Sequence, residues 1–530
     1  MKKIYMIGAA LLMLLVSSCR ETNDVLLPYD HNDVLAFRAA EYSFAGKFKV
    51  TWNGLNQYYA LWDYEKEQGL DWDAVYDEYL PQFEAFDERD DSIPVTDDEV
   101  KELLSKVLLP LHDGHFAMLW KNHVTGNNVT CVPSLIRNAS RDDAEIAKKY
   151  KPNISYYTNP ANGEIEISDG EPVCLEYSTL WTDMVDRFRN TSGQGMMWIE
   201  DRLLQLINQP LPTEMEIFQR QSLSDLSTQL LEVLSQPNAE QGIPAFNSLV
   251  ERYSYLNVPG FDAIDNAFSQ MAISVKFALL KGNIAYFYFS GFRLTPYINE
   301  EYAQSTFNLN NYATFNHVYG IWSVWYSWFE TIQQLHKEGT LGGVIIDVRG
   351  NGGGMMSDAQ FVAGALLPSG GFQYGYNRFK RGTGRYDYSP LMPAIAVTME
   401  DEHEIVDDKP VVLLINSGSV SMAEMTAQVV RLMPNGKLIG KRSHGGLCGL
   451  IDNEYNSTNY AGHIGIRDVT PVYGYVPSLA SFTMDKEQLE GVGISPGIEV
   501  ALDENAFNTP TGIGRDTQLD RALQYVRTGN

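Results

Sequence analysis

The sequence predicts an α/β fold, because apolar strands without polar alternation are separated by amphipathic helical segments in its C-terminal half. The strands read GVIIDV, PVVLLIN and KLIG, and the segments between them are SDAQFVAGALL and MAEMTAQVVRLM. A strand pair, ALLKGNIAYFYFSGF, and an aromatic helix closed by Gly339 precede them. These patterns predict a parallel sheet covered by helices, within a C-terminal domain that we assign to residues 276–530.

The first residues predict export. MKKIYMIGAALLMLLVSSC has two lysines, an apolar run that is too short to span a bilayer well, then small residues and a cysteine. VSSC resembles a bacterial lipobox, which implies a signal peptide over residues 1–18, a lipid on Cys19 and a tether over residues 19–35. The expected location is the bacterial cell envelope, facing the periplasm or the surface. A transmembrane stub with an incidental cysteine is the alternative.

Residues 36–110 predict a small N-terminal helical domain. Aromatic side chains recur there at helical spacing, which we interpret as core, and a capping box of Thr96 and Glu99 opens the last helix. LHDGHFAMLW follows, in which a turn at HDG leads into a strand that returns as a hairpin through VTCVP. Residues 111–275 mix turns with helical patterns, so we treat them as a mixed intermediate region.

Charge and cysteine content exclude several classes of function. The formal net charge of -27 argues against a surface that tracks nucleic-acid phosphates. No group of His, Cys, Asp or Glu has zinc spacing, so we expect neither a metal nor a cofactor. Cys131, Cys174 and Cys448 remain after the signal peptide and allow at most one disulfide among them, whose pairing the sequence leaves open.

The first chemical motif is DVRGNGGG, which begins at Asp347 directly after a predicted strand. Successive glycines let backbone N–H groups point to one side, which is typical of an anion-binding turn before a helix. The motif lacks the GK[ST] of a phosphate loop and the GxGxxG spacing of a dinucleotide site. A plain structural turn is the alternative.

The second motif is NSGSVSMAEM, residues 416–425, after the strand VVLLIN. If Ser421 lies at the first turn of the next helix, its hydroxyl projects from a sharp strand-to-helix bend toward the N–H of Met422. Ser421 and Glu424 also satisfy the capping-box pattern. This stretch alone therefore leaves both a nucleophile and a helix cap open.

Taken together, a serine and glycine N–H groups at neighbouring strand ends supply an attacking oxygen and oxyanion donors for acyl transfer. With GKRSHGG and the tail GRDTQLDRALQYV, these motifs resemble the C-terminal-processing (tail-specific) serine peptidases and their tricorn-core relatives. The resemblance covers the C-terminal half well and the N-terminal part loosely. It implies a ClpP/crotonase-like core, Ser421 as nucleophile, and an oxyanion hole made by the N–H of Met422 with that of Gly352 or Gly353.

The family has two solutions for the general base. One branch uses a lysine in a turn after the serine, where this chain has Gly446, and Lys441 lies before that turn. A Ser/Lys dyad is therefore disfavoured. The tricorn-like branch uses a histidine from a DGH motif and a glutamate near an EGxGxxP motif, which match His115 in HDGH and Glu490 in EGVGISP.

The resemblance thus implies a Ser421, His115 and Glu490 triad, with His112 and His444 as competing histidines. Family members usually carry a PDZ domain that holds substrate C-termini, but residues 116–275 contain no recognisable carboxylate-binding loop.

The predicted function is a lipid-anchored serine endopeptidase that acts on polypeptides through an acyl-enzyme, without nucleic acid and with an open oligomeric state. A catalytically inactive peptidase-fold protein that binds peptides or assists assembly is the rival, and a crotonase-type acyl-thioester enzyme is a third candidate.

Overall fold

The structure is a computed structural model, and it describes residues 34–90, 92–133, Ile154, 156–159, 163–168, 171–172, 174–178, 195–236, 239–256, Val258, 273–306, 312–399, 402–450, 462–467, 469–507 and 514–530. The predicted signal peptide, Cys19 and nearly all of the predicted tether lie outside these residues. Within the described part of the chain, no helix combines the length and the apolar character needed to cross a membrane.

Five helices form the N-terminal part of the structure. They are α1 (Val34–Glu41), α2 (Phe44–Tyr58), α3 (Trp62–Glu67), α4 (Trp72–Asp87) and α5 (Asp97–Leu108). The predicted capping box at the start of α5 is confirmed, since Thr96 and Glu99 exchange side-chain and backbone hydrogen bonds. The aromatic side chains of these helices pack together, with Phe48, Trp62 and Phe83 almost fully buried. Their interpretation as core is therefore confirmed.

A hairpin follows these helices, as predicted. Its strands are β1 (Ala117–Lys121) and β2 (Asn128–Cys131), which pair antiparallel. Two short strands between residues 463 and 475 extend this sheet to four strands. The sheet packs on the N-terminal helices around Trp120. The hairpin that follows His115 therefore pairs with a strand far along the sequence.

The intermediate region contains short strands and a separate group of helices. The strands are β3 (Ile167–Ser168), β4 (Glu171–Pro172) and β5 (Cys174–Ser178), and the helices are α6 (Gly195–Ile207), α7 (Glu214–Leu234) and α8 (Ala239–Tyr253). The three helices share a hydrophobic core of their own. Cys131, Cys174 and Cys448 are all free thiols.

The C-terminal part supplies the remaining elements. The strands are β6 (Ser274–Leu280), β7 (Ile284–Phe289), β8 (Gly343–Asp347), β9 (Phe372–Phe379), β10 (Met392–Ala396), β11 (Val411–Ile415), β12 (Gly436–Gly440), β13 (His463–Ile464), β14 (Val472–Tyr475), β15 (Leu479–Phe482) and β16 (Ile498–Glu499). The helices are α9 (Thr295–Ile298), α10 (Glu300–Thr306), α11 (Tyr312–Lys337), α12 (Met422–Leu432), α13 (Glu504–Phe507) and α14 (Thr517–Thr528).

The central sheet has seven strands in the order β16, β12, β11, β8, β7, β6, β5. The first five run parallel, and β6 and β5 add antiparallel strands at one edge. Helices α11 and α12 cover one face, while α14 covers the other. The covered α/β sheet predicted from the sequence is therefore confirmed, and β8 and β11 lie side by side with their carboxyl ends at the same edge.

The helix predicted over SDAQFVAGALL is wrong. This segment forms two short 3-10 helices, Met356–Phe361 and Ala363–Leu366, which are separated by Val362 at φ -119° and ψ -99°. The Asp358 carboxylate accepts hydrogen bonds from the backbone N–H groups of Leu294 and Thr295. These bonds tie the segment sideways to a neighbouring loop, so tertiary contacts override its helical pattern.

Candidate active site

The turns after β8 and β11 are joined directly to each other. The N–H of Gly350 donates to the Asn416 side-chain oxygen at 2.9 Å, and the N–H of Val420 donates to the Asn351 carbonyl at 3.0 Å. The two motifs therefore meet at one edge of the sheet, as their positions after neighbouring strands predict.

Ser421 has a strained backbone at the end of the second turn. Its φ of 57° and ψ of -116° lie where few residues with a side chain are found, and such a conformation costs about 1–3 kcal/mol. Its N–H donates to the Gly446 carbonyl at 3.0 Å and to the Glu424 carboxylate at 3.1 Å. An ordinary N-cap has an extended backbone, so Ser421 resembles the sharp elbow that presents a nucleophile more than a simple cap.

Gly353 makes the close approach between the two turns possible. Its φ is +88°, and a Cβ at this position would lie 2.6 Å from Ser421 Cβ and 2.9 Å from the Met422 nitrogen. The N–H of Gly353 already donates to the Asn351 side chain at 2.9 Å. Gly352 is exposed, and its N–H has no hydrogen-bond partner among the described residues. Gly352 therefore offers the available donor of this turn, and Gly353 provides the space.

A buried ion-pair network stabilises the turn that follows β8. The Arg349 guanidinium is fully buried and lies 2.6 Å from Asp347 and 2.8 Å from Asp516, the N-cap of α14. Paired charges of this kind fix a backbone in place because breaking either pair would leave a buried charge without compensation. No pattern in the sequence indicated this role for Arg349.

A third turn, residues 443–448, binds two buried carboxylates through four consecutive backbone N–H groups. Glu424 and Glu490 are both fully buried. Glu424 accepts from Gly445 and Gly446 at 2.7 Å each, and Glu490 accepts from Leu447 at 2.6 Å and Cys448 at 2.7 Å. This turn thereby connects the Ser421 helix to the loop that carries Glu490.

Glu424 has a larger role than helix capping. The Ser443 hydroxyl also donates to its carboxylate at 2.6 Å, as does the Ser421 N–H. With the two glycine N–H groups, the Glu424 carboxylate accepts four hydrogen bonds. Burial raises the pKa of Glu424 to about 7, and these donors oppose the shift. The sequence pattern predicted a capping residue but gave no sign of the contact with the distant turn.

His115 reaches the same turn from the N-terminal side. A Cβ on Gly446 would lie 3.3 Å from the His115 Cε1 and 3.1 Å from a Val420 methyl carbon, so the imidazole packs against the residue whose carbonyl binds the Ser421 N–H. His115 Nδ1 is buried without a hydrogen-bond partner in the described chain and lies 3.9 Å from Glu490 Oε1. This distance exceeds a hydrogen bond.

Burial keeps the His115 imidazole neutral. It lowers the pKa of His115 to about 4, and the neighbouring His444 acts in the same direction. A neutral imidazole is the form that accepts a proton.

His444 neighbours His115, whereas two other candidate bases are engaged elsewhere. His112 Nδ1 lies 2.7 Å from the buried Glu65 carboxylate on α3. Lys441 pairs with Glu499 at 3.0 Å on the surface. A lysine at position 446 would also have to displace His115, since a Cβ alone meets its ring there. The geometry therefore brings His115 and Glu490 together near Ser421 and leaves Lys441 outside the site.

Comparisons with known proteins place the segment that carries Ser421 and Glu490 in a family match. Residues 311–500 match the model of Peptidase family S41. The carboxy-terminal-processing protease of Bartonella bacilliformis is 27% identical over 160 residues, which cover 30% of this chain and only 31% of that relative.

Two solved structures have similar chains overall. A candidate peptidase from Parabacteroides merdae is 16% identical, with a TM-score of 0.47, over 92% of this chain and 98% of its own. Mature CPAF is 9% identical, with a TM-score of 0.44, over 94% of this chain and 99% of its own. Both TM-scores lie below 0.5, so these two structures carry no further argument, and the region that the family model matches contains Ser421, both glycine turns and Glu490. The matched segment, residues 311–500, therefore resembles peptidase family S41, and the curated relative that the chain matches is a carboxy-terminal-processing protease.

Proposed function

We propose that the protein is a serine endopeptidase that hydrolyses polypeptides through an acyl-enzyme on Ser421. The Ser421 Oγ attacks the carbonyl carbon of the scissile bond while His115 takes the hydroxyl proton. The N–H groups of Met422 and Gly352 bind the oxyanion. Collapse of this intermediate expels the amine, which receives the proton from His115, and water activated by the same imidazole then releases the acyl group.

The conformation of Ser421 carries the proposal. A residue with a side chain holds φ at 57° here, in the turn that joins the core strand β11 to α12 and directly before α12. Strain of this kind persists where the surrounding structure imposes it, and it is common at catalytic positions. Gly353 approaches the serine closely on one side, and the Gly446 carbonyl accepts its N–H on the other, so neighbouring backbone holds Ser421 in place.

The base and its carboxylate support the same chemistry. His115 is neutral and buried, and Glu490 lies 3.9 Å behind its Nδ1. Catalytic hydrogen bonds are often long in a free enzyme and shorten when substrate binds. Formation of an imidazolium would draw the two groups together, because the opposite charges attract.

A fluorophosphonate probe tests this proposal directly. The purified protein should be labelled on Ser421 between about pH 6 and about pH 9, since the probe mimics acyl transfer. Ser421→Ala should abolish the labelling seen by intact-protein mass spectrometry. Ser417→Ala is the matched control from the same turn, because the Ser417 hydroxyl is buried without a hydrogen-bond partner in the described chain. Labelling that survives Ser421→Ala, or none in the wild type, would contradict the proposal.

The rival is a peptidase fold that binds peptides without cleaving them. The observation that favours it is the 3.9 Å gap between His115 and Glu490, which leaves the imidazole without its orienting hydrogen bond. A wild-type protein that folds normally, binds denatured polypeptides and resists the probe would support this rival.

The proposal also includes a lipid anchor at Cys19 and a place in the bacterial cell envelope. The support is the VSSC segment after an apolar run. In cells fed an alkyne fatty acid, the wild type should incorporate the label and enter the membrane fraction. Cys19→Ser should lose both properties, and equal labelling of the two proteins would exclude the anchor.

A further inference from the structure

A group of buried acids lies behind His115 and is larger than the proposed triad requires. Glu65, Asp113 and Glu490 are all fully buried, and so is the Tyr59 side chain that faces them. Asp113, like Glu65, has no part in the proposed mechanism. It comes from the HDGH motif that identified His115.

The hydrogen-bond donors are shared unequally among these acids. Glu490 accepts three backbone N–H groups, from Gly114 at 3.0 Å and from the turn 443–448. Glu65 accepts from the Tyr59 hydroxyl at 2.9 Å and also binds the backbone and ring of His112, each at 2.7 Å.

Asp113 is satisfied on one oxygen only. Its Oδ1 accepts the N–H groups of His115 at 2.7 Å and Phe116 at 3.1 Å. Its Oδ2 is buried, and within the described part of the chain it has no hydrogen-bond partner.

Two neighbouring carboxylates in a dry interior cannot both be charged at low cost. The proton resides where the anion would be least stabilised. Glu490 has a donor on each oxygen, whereas Asp113 Oδ2 has none. An ionised Asp113 would therefore leave a buried negative oxygen without a donor.

We propose that Asp113 is a neutral carboxylic acid at neutral pH and acts as a positioning residue for His115. Its Oδ1 holds the backbone of His115, and its proton on Oδ2 leaves Glu490 as the single anion beside the imidazole. The positioning role rests on the proposed peptidase function, but the protonation of Asp113 does not.

The surroundings of Asp113 favour the proton. Burial raises the pKa of Asp113 to about 7, and the negative charge of Glu65 acts in the same direction. The other titratable groups that face it are Tyr59 on the helical side, and Cys448 and Glu490 from the C-terminal part, with His112 and His115 on its own turn. Burial and the charge of Asp113 raise the pKa of Glu490 well above its usual value, and the N–H groups of Gly114 and Cys448, which stabilise the Glu490 anion, oppose this shift. Burial raises the pKa of both Tyr59 and Cys448 well above its usual value, so neither supplies a positive charge.

The rate of fluorophosphonate labelling tests the positioning role. Asp113→Asn keeps the Oδ1 acceptor and replaces the acidic hydroxyl by an amide donor, so the rate at about pH 7 should stay within about threefold of the wild type. Asp113→Ala removes the acceptor that holds the His115 backbone, and its rate should fall by about tenfold or more. An Asn variant as slow as the Ala variant would show that the anion is needed, and two unaffected variants would show that Asp113 positions nothing.

A spectroscopic measurement tests the proton without relying on catalysis. With ¹³C-labelled aspartate, the infrared spectrum of the full chain at about pH 6 should contain a protonated carboxyl band that Asp113→Asn removes. Asp97→Asn is the control, because the Thr125 and Asn127 side chains donate to Asp97 and lower its pKa, so Asp97 is ionised at this pH and its removal should leave the band unchanged. An unchanged spectrum in Asp113→Asn would overturn the proposal.

Stability provides a second readout. A folded-state pKa raised above the unfolded value means that the folded protein binds the extra proton, so its stability falls as the pH rises from about 4 to about 7. The melting temperature of the wild type should therefore fall more than that of Asp113→Asn between about pH 5 and about pH 8. Parallel curves would contradict a proton on Asp113. If the probe never labels Ser421, the peptidase proposal fails, while these two measurements still report on Asp113.

Discussion

The two sides of the candidate site are built in different ways. The nucleophile side consists of two turns that follow adjacent parallel strands, β8 and β11, and are joined by direct hydrogen bonds. The base side brings together Asp113, His115 and Glu490, and Gly114 binds Glu490 across 376 positions of sequence. The turn 443–448 connects the two sides through Glu424 and Glu490.

This difference teaches where the site is rigid. Contacts on the nucleophile side involve backbone atoms, which cannot rotate away from a new group. Contacts on the base side involve an imidazole and carboxylates, whose positions depend on packing and on charge. We therefore expect the nucleophile side to tolerate almost no change and the base side to respond by degrees.

The largest effect is expected for Gly353→Ala. The new Cβ would lie 2.6 Å from Ser421 Cβ and 2.8 Å from the Val420 carbonyl, at a φ of +88°. The turns must separate, so the labelling rate of Ser421 should fall by about a hundredfold or more. Gly352→Ala is the control, because a Cβ there meets nothing within 4 Å and the N–H is retained. Equal loss in both variants would show that the contact with Ser421 is not the cause.

A smaller loss is expected for Gly446→Ala on the base side. Its Cβ would lie 3.3 Å from His115 Cε1, a distance that a shift of the ring can relieve. We expect the labelling rate to fall by about tenfold as the imidazole moves from its position. Gly497→Ala is a control in the same C-terminal region, where the nearest atoms belong to the flexible end of Lys437. A loss as large as that of Gly353→Ala would remove the contrast between the two sides.

The same contrast explains what the sequence could predict. The Ser421 and DVRGNGGG turns follow buried strands that are apparent in the sequence, so their meeting could be predicted from strand order alone. His115 and Glu490 were found through a family resemblance, because no local pattern connects positions so far apart. The turn at Asp113 was predicted, but the burial of its carboxylate, the pairing of Arg349 with Asp516 and the contacts of Glu424 with the turn 443–448 were not, because they depend on segments far apart in the chain. The segment SDAQFVAGALL was misread for the same reason.

Glu424→Gln tests whether the connection between the two sides stabilises the fold. The amide NH2 of the glutamine would replace a carboxylate oxygen and would face N–H donors that need an acceptor. We therefore expect the free energy of unfolding to fall by about 1–3 kcal/mol in a denaturant titration. Glu216→Gln is the matched control, because Glu216 completes an exposed capping box with Thr213 and Gln serves equally well in that motif. If both variants lose equal stability, Glu424 is only a helix cap.

The smallest effect concerns pH. Burial lowers the pKa of His115 to about 4, and the neighbouring His444 acts in the same direction. The acid limb of the labelling rate should therefore lie between about pH 4 and the usual histidine value of about 6.5. A lowered pKa preserves the neutral base at lower pH, so the rate should change less than about twofold between about pH 8 and about pH 7.

His444→Ala refines this measurement. His444 contributes to the lowered pKa of His115, so its removal should move the acid limb to higher pH by a fraction of a unit, as expected when a nearby like charge is lost. The rate on the plateau should be retained, because the His115 ring keeps its contact with Gly446. An acid limb at or above about pH 6.5 in the wild type would mean that Glu490 outweighs burial. Charge rather than packing would then control the base side of the site.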